Sequence, residues 1–195
     1  MTPSKPIRVL ILGGGFAGLY AALEFERALA RDATLEVTLV NRDNFFLFTP
    51  MLHEVAASDL DMTHIVNPIR KLLRRVRFFH GAVESVDLQA RRVVVAHSED
   101  RHVHTLEYDH LILGLGSVTN FFGLPGLEQT ARTMKSLGDA IGVRNHLIDL
   151  LETADFECAL GERSQLLTVV VAGGGFAGVE TIRSEERRVG KECRL

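Results

Sequence analysis

Residues 9–23 read VLILGGGFAGLYAAL and set out a strand, a glycine loop and a helix. The apolar run Ile7–Leu12 is typical of a buried parallel strand, and Phe16–Leu29 carries apolar residues at helical spacing. Between them, the spacing Gly13-x-Gly15-x-x-Gly18 suits a tight turn, a close backbone approach to a pyrophosphate and close helix–strand packing. A dinucleotide would bind there, at the helix N-terminus. The predicted cofactor-binding residues of this loop are Gly13, Gly14, Gly15, Phe16, Ala17 and Gly18.

The same loop occurs a second time near the end of the chain. Residues 169–180 read VVVAGGGFAGVE, and their GGGFAG repeats residues 13–18 letter for letter. A buried strand, Leu166–Val171, is predicted before it, so Gly173, Gly175 and Gly178 have the context of the first three glycines. Two such loops predict two dinucleotide sites, and two purely structural turns are the alternative.

Composition and charge exclude several classes of protein. A net charge of −3 over 195 residues, with no long Lys/Arg cluster, argues against a nucleic-acid partner. Two cysteines are too few for a disulfide framework, and no apolar run is long enough to span a membrane, so we expect a cytoplasmic location. Residues 30–80 hold no cysteine, which excludes the redox pair of a disulfide reductase. Cys158 is predicted to be a buried structural thiol.

Histidines are the other candidate metal ligands. His97, His102 and His104 fall in a predicted hairpin that has no nearby cluster of acidic residues and cysteine. No metal site is therefore predicted.

The remaining elements follow from hydrophobic periodicity, and together they predict an α/β protein. We expect a doubly wound parallel sheet with an antiparallel hairpin insertion. The predicted elements are strand Leu35–Val40, helix Thr63–Arg75 interrupted near Pro68, strand Val76–Ala82, antiparallel strands within Glu84–Leu106, strand Leu111–Leu115 and helix Met134–Leu151.

Four further stretches carry a family resemblance. They are NFFLFTPMLHEVA at 44–56, NPIRKLL at 67–73, YDHLILGLGS at 108–117 and MKSLGDAIGVRNHLI at 134–148. With the two glycine loops, they resemble type II NADH dehydrogenases, members of the FAD/NAD(P) flavoproteins that carry two dinucleotide-binding domains. The resemblance implies a Rossmann-like FAD/NAD(P)-binding fold. It also implies hydride transfer from NADH to FAD, with electrons passed on to a quinone and no proton pumping.

Two other functions stay open at this point. One is another FAD-dependent pyridine-nucleotide oxidoreductase, similar to ferredoxin, rubredoxin or sulfide:quinone reductases. The other is a dinucleotide-binding module without enzymatic activity, which would bind NAD but carry out no flavin chemistry.

The resemblance also implies roles for individual residues of the FAD site. Gly13, Gly15 and Gly18 would hold the FAD pyrophosphate, and Asn41 with Arg42 would lie at the adenosine ribose. Asn41 stands where the family pattern has Asp or Glu, so its hydrogen bond to the ribose would carry no charge. The other residues implied at FAD are Thr49 and Pro50 beside the isoalloxazine, Val83 at the adenine, and Gly114 and Gly116 along the flavin.

At the NADH site the resemblance implies two groups of residues. Gly173, Gly175 and Gly178 would hold the NADH pyrophosphate, and Glu180 would lie near the nicotinamide as the catalytic candidate. A helix-start acid favoured by the helix dipole is the alternative interpretation of Glu180.

Four residues of the 44–56 stretch have both a structural and a functional interpretation. We expect Phe45, Phe46 and Phe48 to be core residues rather than flavin- or quinone-facing groups. His53 is predicted to be a helix-surface residue rather than part of a proton relay.

Three segments are predicted along the chain. Residues 1–130 form an incomplete FAD-binding domain, residues 131–182 begin an NADH-binding domain, and residues 183–195 are a non-native tail. Arg183–Arg188 has no apolar residue, and RSEERRVGKECR resembles the translation of a sequencing-library adapter. The resemblance implies a longer parent whose C-terminal part completes the FAD domain and contacts the inner face of the membrane. The truncated fragment itself is expected to be poorly soluble and inactive.

Overall fold

The computed structural model of the protein describes residues 5–29, 34–97 and 102–189. Its strands are β1 (Ile7–Leu12), β2 (Leu35–Asn41), β3 (Phe45–Leu47), β4 (Val66–Pro68), β5 (Arg77–His80), β6 (Ala82–Asp87), β7 (Arg92–His97), β8 (His102–Glu107) and β9 (His110–Leu113). Its helices are α1 (Phe16–Leu29), α2 (Leu52–Ala56), α3 (Ile69–Leu72), α4 (Leu127–Thr130), α5 (Leu137–Phe156), α6 (Leu160–Leu166) and α7 (Phe176–Val189).

The chain divides into two compact units. Unit 1 comprises Met1–Leu47 and Val66–Ser117, and unit 2 comprises Phe48–Ile65 and Val118–Leu195. The assignment of residues 1–130 and 131–182 to different cofactors stays a prediction.

A four-stranded parallel sheet is the centre of unit 1. Its strand order is β5-β2-β1-β9, with Ile7 aligned to Leu35 and Leu12 to Val40 across the central pair. Strands of a parallel sheet are largely apolar because both faces are covered, and Val9–Leu12 of β1 are buried accordingly. The α/β class and its parallel sheet are confirmed.

Alternate residues of β1 face the two sides of this sheet. On one side Val9 and Ile11 share a core with helix α1. On the other side Leu10 and Leu12 share a core with strand β7. That second side is covered by the antiparallel sheet β6-β7-β8, which was predicted as a hairpin insertion. The sheet therefore has a helix on one face and a second sheet on the other.

Unit 2 is helical in the part of the chain that the structure describes. Helix α2 packs against both α5 and α7. Helix α5 begins with a capping box: the Ser136 hydroxyl accepts from the Asp139 N–H at 3.1 Å, and the Asp139 carboxylate accepts from the Ser136 N–H at 3.0 Å. This cap fixes the start of α5 three residues later than the predicted start at Met134.

The predicted helix Thr63–Arg75 is wrong. The segment contains a 3₁₀ turn at Met62–His64, strand β4 and only one helical turn, α3. Strand β3 explains the difference, because it pairs with β4 and supplies the hydrogen bonds that a helix would have made internally. Pro68 lies at the end of β4, where its missing N–H does least harm.

The predicted strand Leu166–Val171 is also absent. Leu166 ends helix α6, and Val169 and Val170 are 58% and 83% exposed. A parallel strand needs a neighbour for its N–H and C=O groups. Among the described residues of unit 2, no strand provides one.

Two expectations near the end of the chain have different outcomes. Cys158 is exposed, so the prediction of a buried thiol is wrong. It lies two residues after the end of α5, in the connection to α6. Helix α7 runs to Val189, past the predicted start of the non-native tail, while residues 190–195 lie outside the described residues. The prediction about the tail stays a prediction.

Candidate functional site

The first glycine loop joins the end of β1 to the start of α1. Gly13 has φ of +98°, and its N–H donates to the Val40 carbonyl at 2.8 Å. A Cβ atom on Gly13 would lie 2.2 Å from the Gly114 carbonyl oxygen, and one on Gly18 would lie 1.8 Å from the Gly13 carbonyl oxygen. The fold of unit 1 therefore requires glycine at positions 13 and 18.

Gly15 differs from these two glycines. It is exposed, its φ lies outside the left-handed region, and a Cβ atom there would meet no atom within 4 Å. Its carbonyl accepts the first hydrogen bond of α1, from the Leu19 N–H at 2.9 Å. Neither backbone strain nor packing explains a glycine here. A group that must approach the backbone at the helix N-terminus does explain it, and a dinucleotide pyrophosphate is such a group.

Asn41 ties the end of β2 to the loop. Its side-chain oxygen accepts from the Gly14 N–H at 2.8 Å, and its amide nitrogen donates to the Asp43 carbonyl at 2.9 Å. The structure thus places Asn41 at the glycine loop. It shows a loop-holding role that sequence reasoning missed, because the partners are 27 residues apart. Arg42, the next residue, is exposed.

The segment after β9 lies against the same loop. The Gly114 N–H donates to the Leu12 carbonyl at 2.7 Å, and a Cβ atom on Gly114 would lie 3.0 Å from the Gly18 nitrogen. Gly116 has φ of +77° and open space around it. Val83 lies earlier in the chain, in β6 just before a β-bulge, and its side chain packs against the core that Leu10 and Leu12 share with β7. The structure therefore brings Gly114 to the loop residues.

An aromatic group borders the loop. The Phe16 and Phe46 rings meet edge to face with centroids 5.1 Å apart, and Tyr20 stacks on Phe16 at 6.4 Å. Phe46 is buried, as expected of a core residue, whereas Phe48 is 38% exposed, so the expectation of a core residue is wrong for Phe48. Tyr20 was not among the predicted site residues. Its spacing of four residues from Phe16 in a helix is the signal that would have indicated it.

The second glycine loop repeats the geometry of the first within unit 2. Gly173 has φ of +122°, and a Cβ atom on Gly178 would lie 2.0 Å from the Gly173 carbonyl oxygen. The Val179 N–H donates to the Gly175 carbonyl at 3.1 Å, as Leu19 does to Gly15. Gly175, like Gly15, has open space and no backbone need for glycine. The loop keeps this shape although no strand forms before it, so the glycine spacing itself encodes the turn.

Glu180 lies in α7, directly after this loop. Its Oε2 is 3.8 Å from Nδ1 of His53, and Nε2 of His53 is 3.5 Å from Oε1 of Glu54. The His53 side chain is only 15% exposed, so the prediction of a helix-surface histidine is wrong. Two helices, α2 and α7, bring this group together, and no local sequence pattern indicates it. Thr49 and Pro50, also in unit 2, are exposed in the 3₁₀ turn Thr49–Met51.

Three histidines of the β7–β8 hairpin lie close together. The His97 and His104 rings stack with centroids 4.7 Å apart, and the His102 ring is 5.0 Å from His104. Burial, together with the charges of the other two imidazoles, lowers the pKa of His104. In the described part of the chain, no group of His, Cys, Asp and Glu side chains has an arrangement that could hold a metal ion.

Within residues 5–29, 34–97 and 102–189, none of the helices combines the length and the apolar character that crossing a bilayer requires.

The sequence matches a known family over nearly its whole length. The model of the family described as pyridine nucleotide-disulphide oxidoreductase matches residues 7–194. The chain is 35% identical over 183 residues to the external NADH-ubiquinone oxidoreductase 2 of Saccharomyces cerevisiae mitochondria. The aligned region covers 90% of this chain and 33% of the relative. It is also 35% identical to the type II NADH:quinone oxidoreductase NdhA of Mycobacterium tuberculosis, over 89% of this chain and 36% of the relative.

A solved structure of a related protein is also similar to this chain. The NDH2 of Plasmodium falciparum in complex with NADH superposes with a TM-score of 0.83 at 27% identity, over 96% of this chain and 38% of that one. The chain therefore spans about a third of the length of these relatives.

Proposed function

Because this chain belongs to the pyridine nucleotide-disulphide oxidoreductase family, we propose that its two glycine loops bind two dinucleotides. FAD would bind at Gly13-x-Gly15-x-x-Gly18, and NADH at Gly173-x-Gly175-x-x-Gly178. We infer that the full-length protein is a type II NADH:quinone oxidoreductase. The names of the relatives from yeast and Mycobacterium tuberculosis support this function over the other two that the sequence left open.

One observation carries the proposal of two nucleotide sites. In both loops the first and third glycines are needed by the protein itself, and the middle glycine is not. The fold of this chain therefore does not require glycine at positions 15 and 175. A pyrophosphate bound at each helix N-terminus would explain both glycines, because a side chain there would obstruct its approach to the backbone.

The number of cysteines helps to decide between disulfide reduction and other reactions catalysed by this family. Disulfide reductases need a redox cysteine pair, whereas this chain has only Cys158, which is exposed in unit 2, and Cys193. When bound, FAD supplies the two-electron chemistry between a nicotinamide and an acceptor. The residues of this chain bind and orient the two nucleotides, and no protein nucleophile is required.

Individual residues take their proposed places around this chemistry. Asn41 and Arg42 would adjoin the adenosine ribose, and the bond from Gly14 to Asn41 supports that position. Gly114 and Gly116 would line the flavin, and the close approach of Gly114 to Gly18 supports theirs.

The other assignments rest on the family resemblance. Val83 would contact the adenine, Thr49 and Pro50 the isoalloxazine, and Glu180 the nicotinamide.

The acceptor and the location belong to the same proposal. A quinone is the proposed acceptor, and because respiratory quinones are lipid-soluble, the full-length protein would associate with the inner face of the membrane from the cytoplasm. Fractionation of cells that express the full-length protein tests this. The protein should sediment with membranes and be released by detergent, and a fully soluble protein would contradict the proposal.

The proposed activity is tested by acceptor assays on the full-length protein. We expect NADH oxidation that depends on bound FAD and on a soluble quinone, and that is much slower with ferredoxin, rubredoxin or a sulfur compound. If NADH oxidation is faster with one of those acceptors than with the quinone, that acceptor, and not a quinone, is the substrate. Nucleotide binding without any flavin-dependent oxidation would favour a non-enzymatic module.

A further inference from the structure

The Asn41 side chain has two hydrogen-bond partners of opposite kind in unit 1. Its Oδ1 accepts from the Gly14 N–H at 2.8 Å, and its Nδ2 donates to the Asp43 carbonyl at 2.9 Å. One partner is a donor and the other is an acceptor, so both bonds together need a side chain that accepts and donates. A neutral amide does both, whereas an ionised carboxylate only accepts. These two contacts therefore favour asparagine over aspartate at position 41.

The backbone at the end of β2 is joined to the same loop. The Asn41 carbonyl accepts from the Gly81 N–H at 2.9 Å, and the Val40 carbonyl accepts from the Gly13 N–H at 2.8 Å. Gly14 lies against the amide, because a Cβ atom on Gly14 would be 2.8 Å from both Cγ and Nδ2 of Asn41. The end of β2 thus holds Gly13 through a backbone carbonyl and Gly14 through a side chain.

This attachment lies next to the proposed pyrophosphate position. Gly14 directly precedes Gly15, the glycine that the fold of unit 1 does not require. A loop that is already held in one conformation loses less freedom when a ligand binds, so it binds that ligand more tightly. By fixing Gly14, the Asn41 amide would hold the N–H groups at the start of α1 ready for a phosphate.

An acid at position 41 would suit a ribose better and this loop worse. Asp or Glu is the usual residue at the end of the second strand, where its charge strengthens the bond to a ribose hydroxyl. In this chain, a carboxylate oxygen in the place of Nδ2 would face the Asp43 carbonyl oxygen with no proton between them. It would also bring a negative charge to a loop that is to receive a pyrophosphate. The residue present is the one that the loop needs.

We propose that Asn41 is a positioning residue of the first nucleotide site: it acts on the pyrophosphate through Gly14, and it needs its amide to do so. This inference rests on the proposed function, in which the first loop binds FAD. Asn41 would still adjoin the adenosine ribose. Its contribution to affinity, however, comes from holding the loop and not from a bond to the 2′-hydroxyl.

Two ligands show where Asn41 acts. FAD, and an FAD analogue that lacks the adenosine 2′-hydroxyl, are titrated into the full-length protein freed of its flavin, both unsubstituted and as Asn41→Ala. Flavin fluorescence reports each Kd. Asn41→Ala should weaken both ligands by the same factor, about two- to tenfold, which is the range for one hydrogen bond. If it weakens FAD clearly more than the analogue, Asn41 binds the ribose and the proposal is wrong.

Asn41→Asp tests the need for an amide. The new carboxylate can accept from the Gly14 N–H but cannot donate to the Asp43 carbonyl, so FAD binding should be weaker at neutral pH. Protonation of the new carboxyl restores a donor and removes the charge. The ratio of its Kd to that of the unsubstituted protein should therefore fall toward one as the pH is lowered toward the pKa of that carboxyl. A purely structural defect would give a ratio that does not change with pH, and this result contradicts the proposal.

Asn44 provides matched controls in the same unit. It is exposed and lies three residues from Asn41, so Asn44→Ala and Asn44→Asp should each change the Kd for FAD little at any of these pH values. Circular dichroism verifies that each variant is folded. If Asn41→Ala does not fold, the pH profile of Asn41→Asp decides alone.

The possible failures can be told apart. If Asn41→Ala or Asn41→Asp binds FAD at neutral pH as tightly as the unsubstituted protein, the role of Asn41 is wrong while the nucleotide site stands. If the unsubstituted protein binds no FAD, or if Gly15→Val leaves FAD binding unchanged, the proposed function of the first loop is wrong. The inference about Asn41 is then wrong with it.

Discussion

A Cβ atom on Gly18 would lie 1.8 Å from the carbonyl oxygen of Gly13. No side chain can occupy that space, and the atom in conflict is backbone, so the loop itself would have to move. The same relation joins Gly178 to Gly173 at 2.0 Å in unit 2. Helix and loop can meet this closely only because the third glycine of each motif has no side chain.

The first prediction concerns this contact. Gly18→Ala should lower the free energy of unfolding by about 1–3 kcal/mol or more, because a methyl group is forced into packed backbone. Gly15→Ala is the matched control, since the space beside Gly15 is open, and it should stay within about 0.5 kcal/mol of the unsubstituted chain. Urea unfolding measures both values. If Gly18→Ala and Gly15→Ala change the free energy of unfolding equally, the close contact between Gly18 and the Gly13 carbonyl oxygen is wrong.

The second prediction concerns Glu26, at which three backbone donors converge. One of its carboxylate oxygens accepts from the N–H groups of Arg74 at 2.7 Å, Arg75 at 2.6 Å and Val76 at 2.6 Å. Val76 is a buried core residue at the start of the turn into β5. Glu26→Ala should therefore cost about 1–3 kcal/mol of unfolding free energy, since the donor on Val76 loses its partner.

Glu24 provides the control for Glu26. It lies on the same helix, pairs with Arg27 one turn away, and both of these side chains are largely exposed. Glu24→Ala should change the free energy of unfolding by no more than about 0.5 kcal/mol. A Glu26→Ala chain as stable as Glu24→Ala would refute the role of the three hydrogen bonds.

The third prediction is a pH dependence at the edge of the parallel sheet. The Asp109 carboxylate accepts from the Arg8 backbone N–H at 2.8 Å and from Arg8 Nε at 3.3 Å. These bonds lower the pKa of Asp109 from 3.8 to about 2. Because the pKa is lower in the folded chain, the carboxylate stabilises the fold above pH 3.8, and this contribution is lost as the pH falls toward 2.

Thermal unfolding as a function of pH measures this contribution. Asp109→Asn should lower the Tm at neutral pH and flatten the decline of Tm between pH 3.8 and 2. Asp155→Asn, at an exposed position of α5, should leave the decline unchanged. If the Asp109→Asn chain loses stability with acid as steeply as the unsubstituted chain, another group is responsible.

The sequence predicted the elements whose causes are local. β1 and α1 begin and end at the predicted residues, because an apolar strand, a glycine turn and an amphipathic helix each follow from their own residues. The second loop shows the same point, since its turn forms without the strand predicted before it. The predictions that were wrong depended on distant partners. Residues 66–68 were predicted as helix but form β4, because they pair with β3. Leu166–Val171 forms no strand, because the described part of unit 2 offers no strand for it to pair with.

The candidate site divides in the same way. The six glycines of the two loops could be recognised from their spacing alone. The same spacing distinguished the first and third glycines, which the turn and the helix packing need, from the middle glycine, which they do not. The bond between Asn41 and Gly14 and the group of His53, Glu54 and Glu180 could not. Each joins residues from separate elements, and nothing in either local stretch indicates the other.

The central claim is that the two loops hold two different dinucleotides, and one set of titrations tests it most directly. FAD and NAD⁺ are titrated separately into the unsubstituted full-length protein and into its Gly15→Val, Gly175→Val and control Gly142→Val variants, the last a valine at another open glycine. Gly15→Val should weaken only FAD binding and Gly175→Val only NAD⁺ binding, each by about tenfold or more, or 1.4 kcal/mol. Gly142→Val should change neither. The account is contradicted if both nucleotides are lost from one variant, or if neither loop variant affects binding.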